Sequence, residues 1–329
     1  MTAYIVRRLL IGLLTLWCIT LVVMALIRSM PGDPVRMILQ QAEGAHAEVT
    51  AKLVAQMRHA YGLDLPWYEG YLAWFGALLR GDLGRSIYDQ QLVTARIGER
   101  MGPTLMLSIP SILLAYLIAI PVGLYVTARN GRWQEQTIST FLYVLYALPS
   151  FVLALFLLIW LSVKLRLLPI GGMTSDPEIY AALSAPGKLW DRLLHMVLPL
   201  TCFMYGGFAY DVRFIRANML EVIRQDYVRT ARAKGLSERV VFLKHAFRNT
   251  LIPLVTILGL SLPGLLGGAV ILERIFSWPG MGNLFLEAIT QRDYPVIMGL
   301  TLTFSTLVLI GNLLSDILYA VVDPRITYS

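Results

Sequence analysis

Six stretches of this chain run for 18 residues or more without a single Asp, Glu, Lys or Arg: 9–27, 101–128, 136–163, 193–210, 249–272 and 294–315. A helix needs about 20 mostly apolar residues to cross the hydrocarbon of a bilayer. Only helices and closed barrels satisfy their own backbone there. The runs therefore predict an all-α integral membrane protein with six transmembrane helices. Composition points the same way: 57% of the 329 residues are hydrophobic and 15% charged, against about 45–50% and about 25% in soluble domains. That balance excludes a water-soluble enzyme, and so much apolar surface excludes a disordered chain. The fourth run is the shortest and holds His195 and Pro199. It is expected to begin near the histidine, at the membrane surface, and to extend a few residues past Tyr210.

Arg7 and Arg8 precede the first run, as they would a secretory signal. A signal's apolar region is about 7–15 residues long and ends in small residues; this run ends in Arg28-Ser29-Met30-Pro31 and reads as a retained anchor. Six crossings place both termini on one side. With the N-terminus inside, inner and outer segments each hold 14 Lys and Arg. Eight of the outer 14 fall in the loop 28–100, and long loops count little towards orientation. Without that loop the comparison is 14 inside against 6 outside, which puts both termini in the cytoplasm. The net charge of +7 is thus read as orientation and contact with membrane lipid, with no nucleic-acid partner.

Two loops are longer than a connection needs. The outer loop 28–100 balances eight basic with eight acidic residues. It carries aromatics from Tyr61 to Phe75, an imperfect helical period over Glu48–Arg58, and turns at Pro31-Gly-Asp-Pro34 and Gly81-Asp-Leu-Gly84. It is expected to form a small lobe of short amphipathic helices. The inner loop 211–248 has nine basic and four acidic residues, no proline and one glycine. Its pattern predicts a helix over Gln225–Lys234, a stop at Gly235 and a new helix from Ser237-Glu238. Composition alone equally allows a solvated basic loop beside anionic headgroups. In the fifth run Gly264 and Gly268 form a small-xxx-small pair beside Pro263, suited to close helix packing or to a moving wall.

Catalytic signatures are missing from the sequence. There is no phosphate-binding Gly-x-x-x-x-Gly-Lys-Ser/Thr, no His-Glu-x-x-His and no Gly-x-Ser-x-Gly. The four histidines are scattered, and Cys18 and Cys202 lie in apolar runs as packing residues. Neither a metal nor a cofactor is expected on this chain. Ion-coupled carriers place ionisable groups inside their spans, whereas here such groups stand at the edges, as Asp211 and Asp316 do. A pore-lining subunit driven by something else fits best. A stand-alone membrane enzyme would need a polar catalytic cluster, and a stand-alone channel a filter or charged ring; a scaffold would leave the inner helix without a purpose.

That inner helix carries a resemblance. Asp226-Tyr-Val-Arg-Thr-Ala-Arg-Ala-Lys-Gly235 resembles the coupling loop of ABC-importer membrane subunits. Ala231 and Gly235 match the general Glu-Ala-Ala-x-x-x-Gly pattern, while Arg229 stands where Glu is usual and Thr230 at the first Ala. The peptide and nickel branch reads Asp-Tyr-x-Arg-Thr-Ala-Arg-Ala-Lys-Gly, which this segment satisfies throughout. The likeness extends through Pro31–Pro34, Gly81–Gly84, His245-Ala-Phe-Arg-Asn249, Glu273 with Phe276-Ser-Trp-Pro-Gly280, Arg292-Asp-Tyr-Pro295 and Asp323-Pro-Arg325.

The resemblance implies a type I ABC-importer permease fold in a bacterial inner membrane. Its regions would be an N-terminal end and first helix (1–30), an extracytoplasmic lobe (31–95), a five-helix core (96–322) and a cytoplasmic tail (323–329). It further implies a second homologous permease, two ATPase subunits holding ATP and Mg, and an extracytoplasmic substrate-binding protein. Asp226, Tyr227, Arg229, Thr230, Ala231, Arg232, Ala233, Lys234 and Gly235 would couple to an ATPase subunit, their small residues allowing close approach and their cations pairing with carboxylates. Phe276, Trp278, Pro279 and Gly280 would gate the path or meet the binding protein, although Trp278 also suits a membrane-interface belt. The substrate implied is a di- or oligopeptide, with nickel chelates or glutathione as alternatives.

Overall fold

The structure, a computed structural model, describes residues 2–29, 58, 59, 61, 64–261 and 270–322. Pro31–Pro34, most of the 48–58 stretch, Pro263 with the Gly264/Gly268 pair, and Asp323–Arg325 lie outside them. Among the described residues the regular structure is helical, apart from one antiparallel bridge between Arg85 and Leu92. In chain order the helices are α1 (Thr2–Ser29), α2 (Trp67–Leu78), α3 (Val93–Ala128), α4 (Trp133–Ala147), α5 (Ser150–Leu157), α6 (Pro177–Ala182), α7 (Ala185–Val222), α8 (Asp226–Ala233), α9 (Arg248–Ser261), α10 (Val270–Ile275), α11 (Met281–Gln291) and α12 (Tyr294–Val322). A π-helical stretch, Leu158–Lys164, prolongs α5, and another, Val241–Phe247, leads into α9.

Among the described residues, five helices are long and apolar enough to cross a membrane: Val6–Ser29, Val93–Ala128, Ala185–Val222, Glu238–Gly259 and Tyr294–Leu314. The third expected span is not a straight helix. Trp133–Ala147 and Ser150–Lys164 meet at a bend of 95°, and they make the sixth span when taken together. Pro149 explains the break, since it lacks an N–H and pushes the preceding residue out of the helical region. Leu148 accordingly sits at φ −83°, ψ 127°. The Leu145 carbonyl, which lost its partner at Pro149, accepts instead from the Leu148 N–H at 3.1 Å and from the Tyr205 hydroxyl of α7, which also lies 3.1 Å from the Leu148 carbonyl, the satisfaction that a helix broken in a membrane requires. The fourth span is also longer than its charge-free core: α7 starts at Ala185, behind Ser184, and carries Pro199 without interruption.

The chain divides into two compact units, one built within Met1–Pro103 and Gly280–Ile310, the other within Thr104–Pro279 and Gly311–Thr327. In the first, Met24 and Ile27 of α1, Tyr71 of α2, Val93 and Ile97 of α3, Leu284 of α11 and Leu300 of α12 share one core. Gly299 is required there, because a Cβ would lie 2.5 Å from Val93 Cγ1. A buried polar clasp joins distant motifs. Asp293 accepts hydrogen bonds from the Ser86 hydroxyl at 2.5 Å, the Ile87 N–H at 3.1 Å and Arg96 at 3.2 Å. Burial pushes the Asp293 carboxyl above its ordinary range, against the pull of those donors. The clasp thus ties the turn after Gly81–Gly84, where both glycines have positive φ, to the Arg292–Pro295 motif.

In the second unit, α7 packs against α4, α5 and α9. Ala119, Leu142, Ala209, Ile215 and Leu254 form one core, and Ala154, Leu198, Cys202, Leu272 and Phe276 another. Gly123 lets α3 approach α7 closely, since a Cβ there would meet Ile215 Cγ2 at 2.7 Å.

Candidate functional site

The coupling sequence forms the expected helix–glycine–helix unit. After α7 the chain turns through Arg224 and Gln225, and Gln225 adopts the extended conformation that opens α8. Helix α8 stops where Gly235 takes φ +77°, a left-handed geometry that side chains resist. The Lys234 and Gly235 N–H groups close back on Thr230 and Arg232 carbonyls at 3.1 and 2.9 Å. Ser237 then starts the next helical segment, its carbonyl accepting from Val240 and Val241.

One face of α8 belongs to the chain itself. Val228 and Ala231 are buried against Val241 and Val222, so the small Ala231 side chain serves this internal seam. The opposite face is exposed and carries Asp226, Tyr227, Arg229, Thr230, Ala233 and Lys234. Arg229 and Arg232 are engaged within the chain. Arg229 lies 3.4 Å from Asp226 in a pair exposed enough to contribute little. Arg232 grips Glu238 with two contacts, Nε to Oε1 at 2.9 Å and NH2 to Oε2 at 3.3 Å. That fork fastens the end of α8 to the following segment across Gly235. Arg232 and Glu238 also border a cavity of about 480 Å³, with Thr127, Ile223 and Phe242 on its walls.

The second candidate, 276–280, is a turn held from within. Glu273 is fully buried and accepts a hydrogen bond from Thr104 at 3.0 Å. Its carbonyl accepts from the Trp278 N–H at 2.8 Å, across Ser277 at φ +49°. Gly172 donates its N–H to the Phe276 carbonyl at 2.8 Å. A Cβ on Gly171 would fall 2.7 Å from that same oxygen, so only glycine lets the strap 171–172 approach. Phe276 and Trp278 are buried, the indole among Leu107, Met196 and Met173. Pro279 is half-buried and Gly280 buried at the start of α11. The two aromatic rings therefore support the turn, while Arg274 and Ser277 are its exposed side chains.

Sequence reasoning singled out Glu273 but not Thr104, Gly171 or Gly172, which are separated from it by up to 169 positions and carry no local signature. Ser175, Asp191 and His195 also meet, yet Ser175 donates straight to the Asp191 carboxylate at 2.5 Å. His195 Nδ1 is 2.8 Å from the Asp191 carbonyl. The Ser175 hydroxyl bonds to the carboxylate and not to the imidazole, so this cluster is not arranged as a hydroxyl nucleophile with a histidine activator. Among the described residues no group of three His, Cys, Asp or Glu is placed to hold a metal.

Comparison with known proteins covers nearly the whole chain. Residues 1–108 match the N-terminal model of the binding-protein-dependent transport system membrane component, and residues 119–328 the model of the binding-protein-dependent transport system inner membrane component. The oligopeptide transport system permease protein AppB of Bacillus subtilis is 39% identical over 329 residues, all of both chains. The dipeptide transport system permease protein DppB of Escherichia coli K12 is 36% identical, covering 100% of this chain and 99% of its own. The glutathione transport system permease protein GsiC of Shigella flexneri is 35% identical over the full length of both. A chain of the MetNI methionine ABC transporter, solved in inward-facing conformations, superposes with a TM-score of 0.52 at 15% identity. It covers 70% of this chain and 97% of its own, a likeness of fold. Spans, motifs and full-length relatives agree: this chain belongs to the family of binding-protein-dependent transport system inner membrane components.

Proposed function

We propose that this chain is one of two permease subunits of an ATP-driven importer of di- or oligopeptides in a bacterial cytoplasmic membrane, with both termini in the cytoplasm. The observation that carries this reading is full-length likeness to oligopeptide and dipeptide permeases, joined to a surface helix, α8, whose outward face is left free. In this reading the chain itself performs no chemistry. Two ATPase subunits bind ATP and Mg, and one of them receives the exposed face of Asp226–Gly235. Val228, Ala231 and the Arg232–Glu238 fork transmit movement of α8 into α7 and α9. Alternation of access then proceeds as rocking of packed helices. The turn 276–280 serves the outer gate through its rigidity, with the five-helix region 96–322 as the moving core and the lobe within 31–95 facing the binding protein.

Glutathione is the second reading, favoured by the likeness to GsiC. Tagging the chain in its native host, purifying it gently and identifying co-purifying proteins tests the assembly. Uptake of labelled dipeptide, tetrapeptide and glutathione by liposomes holding the recovered complex then ranks the substrates. Recovery of a second permease and ATPase subunits with ATP-dependent peptide uptake is expected; repeated recovery of the intact chain alone, from membranes where other complexes survive, would overturn the reading.

A further inference from the structure

Arg213 stands on α7 three residues beyond the charge-free run 193–210, and its side chain turns back towards that run. The guanidinium carbon lies 4.4 Å from the ring centroid of Tyr143 and 5.7 Å from that of Tyr146. Both tyrosines belong to α4, seven and ten residues inside the charge-free run that starts at 136. At about 1.5 Å per residue these positions are roughly 10 and 15 Å from the run's edge. An arginine facing lipid at such a site would carry its head outwards to the interface. Arg213 does the opposite, as the N-terminal lean of helical side chains allows.

Its neighbour one turn along behaves differently. Arg216 meets Glu135 at 3.0 Å and Asn130 at 3.1 Å through one terminal nitrogen, an ion pair near the start of α4. Among the described residues, Arg213 has the two rings as partners and no carboxylate. Its surroundings are open: Tyr143 is 54% exposed, Tyr146 57% and Tyr210 46%. Gly206, Tyr210 and Arg213 follow one another at helical spacing on one face of α7, and nothing lies within 4 Å of a Cβ placed on Gly206. A cation held against tyrosine faces keeps the N–H edge of its guanidinium available, the edge that pairs with a carboxylate through two parallel hydrogen bonds.

We infer that the face bearing Gly206, Tyr210 and Arg213, with Tyr143 and Tyr146 beside it, lines an aqueous passage, and that Arg213 binds the carboxylate of the solute in transit. The free C-terminus of a peptide belongs to that class, so the inference rests on the importer reading.

The test uses the whole complex in nanodiscs of neutral lipid, which leave both faces accessible. Cys18→Ser and Cys202→Ala remove the native thiols, and Gly206→Cys supplies a probe. Two reagents that do not cross bilayers are compared, the anionic sulfonatoethyl and cationic trimethylammonioethyl methanethiosulfonates, each normalised to its rate with free 2-mercaptoethanol. The expected result is modification by both, about tenfold faster for the anion, as a local positive field gives. Adding Arg213→Gln should abolish that preference while Gly206→Cys stays reactive. Reaction with neither reagent, or only with membrane-permeant N-ethylmaleimide, would mean that the face is covered or turned to lipid and would overturn the inference. So would an anion preference that survives Arg213→Gln, or no preference at all. Peptide uptake by the wild-type complex is read separately: its absence counts against the importer reading, whereas the labelling pattern decides the passage.

Discussion

Replacing Gly235 by valine should separate transport from membrane insertion. Gly235 holds φ +77° with nothing within 4 Å of a Cβ, so the penalty for a side chain comes from the backbone and not from a clash. A left-handed conformation costs an ordinary residue about 1–2 kcal/mol, with β-branched residues at the upper end. What holds the end of α8 is of similar size. Burial of a valine such as Val228 is worth roughly 1.5–3 kcal/mol, and an exposed ion pair such as Arg232–Glu238 about 0.2–1 kcal/mol. A cost of about 2 kcal/mol therefore shifts the share of chains with α8 correctly closed by roughly 30-fold. The assay is ATP-driven peptide uptake in liposomes holding the whole complex, with membrane-inserted protein measured alongside. Gly235→Val should lower uptake at least tenfold at unchanged insertion, Gly235→Ala less, and Gly235→Asn least, because asparagine tolerates this geometry best. Normal uptake and normal substrate-stimulated ATP hydrolysis by Gly235→Val would refute the reasoning.

Further substitutions, with controls, probe the scaffold by thermal unfolding in detergent. Thr104→Val removes the hydrogen bond to the buried Glu273 and should cost about 1–3 kcal/mol; an unchanged midpoint would show that the contact contributes nothing. Gly171→Ala places a methyl 2.7 Å from the Phe276 carbonyl and should destabilise by about 1–3 kcal/mol, whereas Gly98→Ala, exposed on α3 with nothing within 4 Å of the new methyl, should not destabilise. Tyr205→Phe leaves the Leu145 carbonyl at the helix break without its hydroxyl donor. A loss of about 1–2 kcal/mol is expected, with Tyr205→Trp unable to restore it.

Much of the architecture was legible because membrane helices announce themselves by length and lack of charge, and because the glycine stop at 235 is a local rule. The third span shows where that reading ends. Pro149 and Pro199 both interrupt apolar runs, yet only the first breaks its helix; the hydroxyl that completes the break arrives from Tyr205, 60 positions from Leu145. The fourth helix runs past its charge-free core at both ends, from Ala185 to Val222; beyond the second end Arg216 meets Glu135 of another helix, and single-chain hydropathy does not see such partners. The 276–280 turn is legible through its aromatic residues, whose types suggest surface. Their burial follows from the strap at Gly171-Gly172 and from Thr104, neither of which has a spacing that points to the turn.

The clasp around Asp293 sets a timetable for synthesis. Ser86 and Ile87 meet their carboxylate 207 and 206 positions later in the chain. At about 5–20 residues per second, those groups must wait roughly 10–40 seconds after emerging before the acceptor exists, while Thr104–Pro279 of the second unit is made between them. Until Asp293 is made, the Ser86 hydroxyl and the Ile87 N–H lack the acceptor they have in the finished fold, so a chain truncated before Asp293 should be cut at this turn faster by added protease than the full-length chain.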